Sequence, residues 1–156
     1  LFKEMEVMDE SEIKARHEIE LHDYSLRIQI EGRVLGDVAM NHVIPTAVNY
    51  QNTLIENVRG LKEVFGEGFE KIAKDQMDLI KKISDHISAI TKKTNAMIEE
   101  RKKANRTEDA EKKAFLYCEK VKPYFEEIRD HCDKLELLID DEIWPLVKYR
   151  EMLFTR

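Results

Sequence analysis

The five histidines are the residues in this sequence whose chemistry first suggests a metal site. They are His17, His22, His42, His86 and His131. Di-iron centres in helical bundles combine single glutamates with Glu-x-x-His pairs, and no Glu-x-x-His occurs here. Glu18 precedes His22 by four residues, which is the spacing of an ordinary contact on a helix surface. Glu127 and His131 have the same spacing, so we predict no metal site.

The two cysteines could in principle supply a nucleophile or a disulfide. Cys118 and Cys132 fall in one helical pattern, about 21 Å apart along its axis, which is too far for a bridge. Cys118 has no base one turn away, and Cys132 lies beside His131, which points elsewhere on a helix. Both are therefore interpreted as small core residues in a reducing compartment.

Glycine positions argue against a nucleotide site. Gly66 and Gly68 lie at a helical turn, and Gly32 and Gly36 lie inside a helical pattern, so no glycine-rich phosphate loop is present. The segment GRVLG, residues 32–36, either permits close approach of a neighbouring helix or reflects flexibility or plain tolerance of glycine. We predict no catalytic, cofactor-binding or metal-binding residue in this chain.

Composition and charge favour long helices. Charged residues make up 37% of the chain, with only 5 glycines and 3 prolines. The net charge of −6 is spread along the sequence without a basic stripe, so nucleic acid is not an expected partner. No apolar run is long enough to span a membrane, and no signal peptide is recognisable, which makes a cytoplasmic location the expectation. A start at Leu1 rather than methionine suggests part of a longer protein.

Three stretches of helical periodicity are predicted. The first begins near Asp9 to Ser11, where side chains can cap a helix, and runs to about Phe65. Gly66 suits the left-handed residue after a helix, and the short connection VFGEGF favours an antiparallel neighbour.

The second stretch runs from about Glu67 to Ala104 and repeats core positions every three or four residues. These positions are Phe69, Ile72, Gln76, Leu79, Ile83, His86 or Ile87, Ile90, Thr94 and Met97. Further isoleucines at 80, 87 and 98 widen the apolar stripe, so this helix is predicted to be central and to touch two neighbours.

The third stretch follows the polar segment KKANRTEDAEKK, with Asn105 or Thr107 as its N-cap. It is predicted to continue to Glu142 and to be ended by Pro145, because proline disfavours helical geometry in the preceding residue. Its core positions are Ala114, Cys118, Val121, Phe125, Ile128, Cys132, Leu135 and Ile139.

The predicted fold class is all-α, an antiparallel bundle of three long helices. Pro45 and Pro123 interrupt patterns that continue past them, so we predict kinks there rather than loops. The first helix is the longest and should overhang at its N-terminal end, from Ser11 to about Arg27. Its apolar residues, Ile13, Ile19 and Leu21 among them, are expected to meet a catalytic domain or another copy of the chain.

Two segments carry a family resemblance. Residues 21–66 read LHDYSLRIQIEGRVLGDVAMNHVIPTAVNYQNTLIENVRGLKEVFG and strongly resemble the C-terminal region of type III glutamine synthetases, the large bacterial form. Residues 117–154, YCEKVKPYFEEIRDHCDKLELLIDDEIWPLVKYREMLF, are similar to the closing segment of the same family. The middle helix is the least distinctive part.

The resemblance implies that residues 1–156 are a single helical C-terminal domain of a longer ligase. The parent would join ammonia to glutamate through a γ-glutamyl phosphate, using ATP and Mg²⁺, in a dodecamer built from hexameric rings. Its catalytic domain would lie upstream of Leu1, so the partners are that domain and other subunits. No catalytic residue transfers to this segment, and capping explains the triplet Asn105-Arg106-Thr107.

A free-standing helical module that docks other helices through its apolar flanks is the alternative function. The open reading frame distinguishes the two hypotheses. Hundreds of residues upstream of Leu1 would support the synthetase, whereas an initiator methionine close to Leu1 would support the separate module.

Overall fold

The computed structural model describes residues 9–153, and these consist of helices and turns without a strand. The all-α prediction is confirmed. Contacts divide the chain into two compact units. The first combines the N-terminal segment up to Gly36 with Asn95–Glu126, and the second combines Asp37–Thr94 with the C-terminal segment from Glu127. Of the predicted domain 1–156, residues 1–8 and 154–156 lie outside the described part.

The first helical stretch matches its predicted limits. Helix α1 covers Glu10–Val38, and α2 covers Ile44–Phe65. Asp9 is the N-cap, because its carbonyl accepts the first helical hydrogen bond, from the N–H of Ile13 at 3.1 Å, and the Glu12 carboxylate accepts from the N–H of Asp9 at 2.9 Å. Gly66 ends α2 with a φ of +59°, a backbone conformation that only glycine adopts without strain, as predicted.

A π-helical turn precedes each of the two interior prolines. Ala39–Val43 forms the first and Tyr117–Val121 the second, so each ends two residues before its proline. In the second, the N–H of Lys122 donates to the carbonyl of Tyr117 at 2.9 Å, five residues back. A proline clashes with the carbonyl four residues before it, and the wider π turn displaces that carbonyl. The helix therefore continues past each proline, while the kink itself stays a prediction.

The second helical stretch has one interruption that the sequence did not predict. A short 3₁₀ turn, Gly66–Gly68, leads to α3, Phe69–Ile72, and α4 then runs over Lys74–Asn105. At the break, Ala73 is fully buried and Ile72 is 47% exposed, so the prediction of Ile72 as a core position is wrong. Further along, Ile83, Ile90, Thr94 and Met97 are fully buried, as predicted.

Both ends of the third stretch differ from prediction. Helix α5, Ala110–Leu116, is capped by Asp109, whose carboxylate accepts from the N–H of Lys112 at 2.8 Å, rather than by Asn105 or Thr107. Asp109 has the extended backbone, with ψ of 120°, that an N-cap needs.

Helix α6, Pro123–Leu138, ends before the predicted limit at Glu142. Asp140 is the reason: its carboxylate accepts from the N–H of Glu142 at 3.0 Å, while its carbonyl accepts from Ile143 and Trp144. This local turn competes with the helix. Beyond it Trp144 is 8% exposed, and a last short helix, α7, covers Tyr149–Met152.

Each unit has its own buried residues. In the first, the buried apolar side chains are Ile28, Met97, Ala104, Ala114, Tyr117 and Val121. In the second, they are Ala39, Val43, Ala47, Ala73, Ile83, Ile90, Ile128, Leu135, Ile139 and Trp144. Tyr117 takes the core position that was predicted for Cys118, which is exposed. Within residues 9–153, no helix combines the length and apolarity that crossing a bilayer requires.

Close approach explains Gly32, the first glycine of GRVLG. A Cβ added at Gly32 would lie 3.3 Å from Cε1 of Phe125 and 3.8 Å from Sδ of Met97. All three residues belong to the first unit. Of the two interpretations of GRVLG, the structure supports close packing at this position.

Candidate functional site

The described histidines do not gather into a metal site. His17 and His22 on α1 and His42 in the first π turn are exposed. Among residues 9–153, no three His, Cys, Asp or Glu side chains come close enough together to hold a metal ion. Glu127 accepts a hydrogen bond from Lys93 at 2.5 Å, and its contact with His131 on the helix surface stays a prediction.

His86 on α4 and His131 on α6 instead meet each other in the second unit. Their Nδ1 atoms are 3.0 Å apart and their ring centroids 5.3 Å apart. The distance between the centroids exceeds the distance between the nitrogens by about twice the distance from an imidazole centre to its nitrogen. Both nitrogens therefore lie on the line that joins the two ring centres. This head-on arrangement suits an N–H···N hydrogen bond. Two lone pairs chelating one metal ion would instead converge to one side of that line.

Charged pairs surround the two imidazoles. Lys93 on α4 binds Glu127, and Lys134 donates to Asp130 at 2.6 Å. The hydrogen bond from Lys134 lowers the pKa of the Asp130 carboxyl. Burial, followed by the charge of His86, lowers the pKa of His131 below its usual value. The neutral form of His131 is therefore favoured.

In the first unit, Asn105 at the end of α4 contacts two other helical stretches. Its side-chain oxygen accepts from the Tyr117 hydroxyl at 2.6 Å and from the Gln29 amide at 3.3 Å. Tyr117 is only 1% exposed, and burial raises the pKa of its phenol. These contacts join α1, α4 and the third stretch, so Asn105 has a structural role instead of the predicted capping role.

The cysteines occupy different environments. Cys132 is half-buried, and burial raises the pKa of its thiol to about 11, which makes it a poor nucleophile at neutral pH. Cys118 is exposed beside Tyr24, where their hydrogen bond contributes most to raising the pKa of the tyrosine to about 12. The predicted core role is therefore wrong for Cys118 and agrees with the burial of Cys132.

An exposed apolar face on α1 is not explained by any of these contacts. We call it the α1 apolar face, and its residues are Ile19, Leu26, Ile30 and Val34, which are 61%, 44%, 52% and 57% exposed. At about 100° per residue they fall within an arc of about 80°. The buried residues of the same helix, Ser25, Ile28, Gly32 and Gly36, lie on the opposite side.

The predicted N-terminal overhang is shorter than expected. Residues 11–20 are exposed throughout, with Ile13 37% and Ile19 61% exposed, as predicted. Leu21 is half-buried, and Ser25 is 5% exposed. Because Tyr24 already reaches Cys118 of the third stretch, the uncovered part does not extend to Arg27.

Comparison with known proteins connects this helix to a family. Residues 1–62 match the family described as the glutamine synthetase C-terminal domain. A glutamine synthetase from Bacteroides fragilis (strain YCH46) is 52% identical over 151 residues, which is 96% of this chain and 21% of that protein. The chain is thus similar to a glutamine synthetase over nearly its whole length. The resemblance to glutamine synthetases that the sequence analysis found is confirmed.

Two further relatives carry related names. A type-3 glutamine synthetase from Dictyostelium discoideum is 27% identical over 100% of this chain, and a glutamine synthetase from Butyrivibrio fibrisolvens is 24% identical over 99%. The chain spans only about a fifth of the length of these relatives, between 21% and 22%. The α1 apolar face lies wholly within the residues that match the glutamine synthetase C-terminal domain.

The sequence contained a signal for this face that periodicity alone did not single out. The spacings of seven, four and four residues between Ile19, Leu26, Ile30 and Val34 are those of one helical side. The opposite side of α1 has small and apolar residues at a similar period. Because both sides carry a pattern, the sequence does not show which of them is covered within the chain.

Proposed function

We propose that this chain is the C-terminal helical region of a type III glutamine synthetase and that it serves assembly rather than catalysis. The parent enzyme would form glutamine from glutamate, ammonia and ATP with Mg²⁺, at a catalytic domain outside this chain. The type-3 relative from Dictyostelium discoideum, alignable over the whole chain, supports the type. The single observation that carries the assembly role is the α1 apolar face.

Exposed aliphatic side chains on one side of a helix favour contact with another apolar surface. Fully burying one such side chain contributes roughly 1.5–3 kcal/mol, so covering the exposed half of each contributes about 1 kcal/mol. Leu26, Ile30 and Val34 follow one another at successive turns of the arc, and Ile19 lies on the same arc beyond Asp23. Singly scattered apolar residues, by contrast, need no partner. The upstream catalytic domain or another subunit of a dodecamer would supply the covering surface.

We also propose the antiparallel arrangement with kinks at Pro45 and Pro123. In the second unit, the Gln51 amide donates to the Ile80 carbonyl at 2.9 Å and to Ser84 at 2.6 Å. These pairs lie at similar distances on either side of the turn at Gly66, as an antiparallel hairpin requires. The Lys93–Glu127 pair has the corresponding relation to the turn before α5. The π turns support bending at both prolines.

Charge introduced into the α1 apolar face should disrupt assembly of the complete parent enzyme. In the double variant Ile30→Glu/Val34→Glu, covering the face would require burying two carboxylates, so we expect smaller species by light scattering after size exclusion. Leu137→Glu, at an 85% exposed leucine of α6, is the matched control and should assemble normally. A fully assembled double variant with unchanged subunit number would contradict the assembly role.

The 156-residue chain alone should have no glutamine-forming activity. Stabilising a transferring phosphoryl group requires metals and clustered carboxylates, and residues 9–153 bring no such cluster together. The measurement is ATP- and glutamate-dependent glutamine formation by the purified chain, with the complete parent as positive control. Synthesis above the level of a mock purification would show that catalytic groups lie in this segment.

A further inference from the structure

The head-on contact between His86 and His131 restricts how many protons the pair can hold. An N–H···N bond between two Nδ1 atoms 3.0 Å apart needs one protonated and one unprotonated nitrogen. Two neutral imidazoles satisfy this when one ring carries its proton on Nδ1 and the other on Nε2. One imidazolium and one neutral ring satisfy it as well, through a charge-assisted bond.

We propose that His86 and His131 form a pH-sensitive contact between α4 and α6. The contact is closed when the pair of rings carries at most one excess proton, and a second excess proton opens it. When both rings are imidazolium, both Nδ1 atoms carry a hydrogen, and no acceptor remains. Two positive charges would then face each other at about 3 Å, in a half-buried setting where water screens them poorly. Separation of the rings is the way to relieve both costs.

The surrounding charges do not cancel this repulsion. From α4, the nearby cation is Lys93, already paired with Glu127, and from α6 it is Lys134, paired with Asp130. Asp130 favours protonation of His131, but burial, His86 and both lysines oppose it. From α2, the side chain that reaches this part of α4 is the uncharged amide of Gln51, bonded to Ser84.

The sign of the pH effect follows from these groups. In the unfolded chain, His131 has the ordinary histidine pKa of about 6.5, whereas the folded state lowers the pKa of His131. As pH falls below about 6.5, the unfolded chain binds more protons than the folded one, so acid favours unfolding. Above about pH 7, His131 is mainly neutral in both the folded and the unfolded chain, and the contact is fully present.

The test compares the thermal midpoint of the 156-residue chain from pH 8 to pH 5 with that of His131→Gln. Glutamine keeps a hydrogen-bonding group but cannot take up a proton. We expect the wild type to lose roughly 2–4 °C more than His131→Gln across this range. His22→Gln, at an exposed histidine of α1, is the control and should follow the wild type.

A second measurement resolves the protons themselves. In an NMR titration, the imidazole of His131 should take up its proton at lower pH in the wild type than in His86→Gln, where the facing ring is absent. If His131→Gln does not fold, His86→Gln takes its place in the thermal comparison. Parallel pH curves for wild type and variant, or a His131 titration that His86→Gln leaves unchanged, would overturn the proposal.

Discussion

Replacing Leu135 by alanine should lower the free energy of unfolding by about 2–5 kcal/mol, the range for deleting a fully buried leucine side chain. Leu135 on α6 has no exposed surface, and the fully buried Ile128 lies about two turns earlier on the same side of this helix. The lost methyl groups leave a cavity that rigid helices fill only in part. Urea unfolding followed by circular dichroism measures the change.

Leu137 provides the matched control, because it lies two residues further along the same helix and is 85% exposed. The same substitution there should change the free energy of unfolding by no more than about 0.5 kcal/mol. Equal losses for the two variants would mean that α6 does not present the described face to its unit.

Replacing Gly32 by leucine should destabilise the chain by roughly 1–3 kcal/mol, although leucine is the better helix former. A Cβ at this position already lies 3.3 Å from the Phe125 ring, and the rest of a leucine side chain would have to displace that ring or Met97. The expected loss therefore occurs despite a gain in intrinsic helix propensity. Thermal and urea unfolding both measure it.

At Gly60, the same substitution by leucine meets no neighbouring side chain such as Phe125. It lies inside α2, and nothing falls within 4 Å of an added Cβ. Gly60→Leu should therefore stabilise the chain by about 0.5–1 kcal/mol, because only the helix propensity changes. If Gly32→Leu also stabilises, the close approach of Phe125 is not a constraint in solution.

Periodicity predicted the helical stretches well because each of them buries one continuous side. The limits at Asp9 and Phe65 depended on capping and on glycine at 66, both of which act locally. The end of the third stretch was missed because Asp140 and Pro145 are both plausible terminators. The sequence does not reveal which of the two ends the helix. In the structure it is Asp140, whose carboxylate accepts a hydrogen bond from the N–H of Glu142.

The errors in core positions have a common cause. Ala73 is buried where Ile72 was predicted, and Tyr117 is buried where Cys118 was predicted. Each error is a shift of one residue between alternatives that fit a three-or-four spacing equally well. Such choices depend on how two helices meet. The His86–His131 contact could not be found for the same reason, since it requires the alignment of α4 with α6. Within their own helices, His131 had a plausible contact with Glu127, and His86 was one of two candidates for a core position.

The two π turns have a consequence for how this chain can change in length. A π turn closes a hydrogen bond over five residues where an α turn uses four, so it absorbs one additional residue without rotating the helix that follows. Elsewhere in these long helices, an insertion would turn every later side chain by about 100° and expose the core. Ala39–Val43 and Tyr117–Val121 each already contain that additional residue. These are thus the places where the loss of a single residue can be accommodated while the buried sides on both flanks stay in phase.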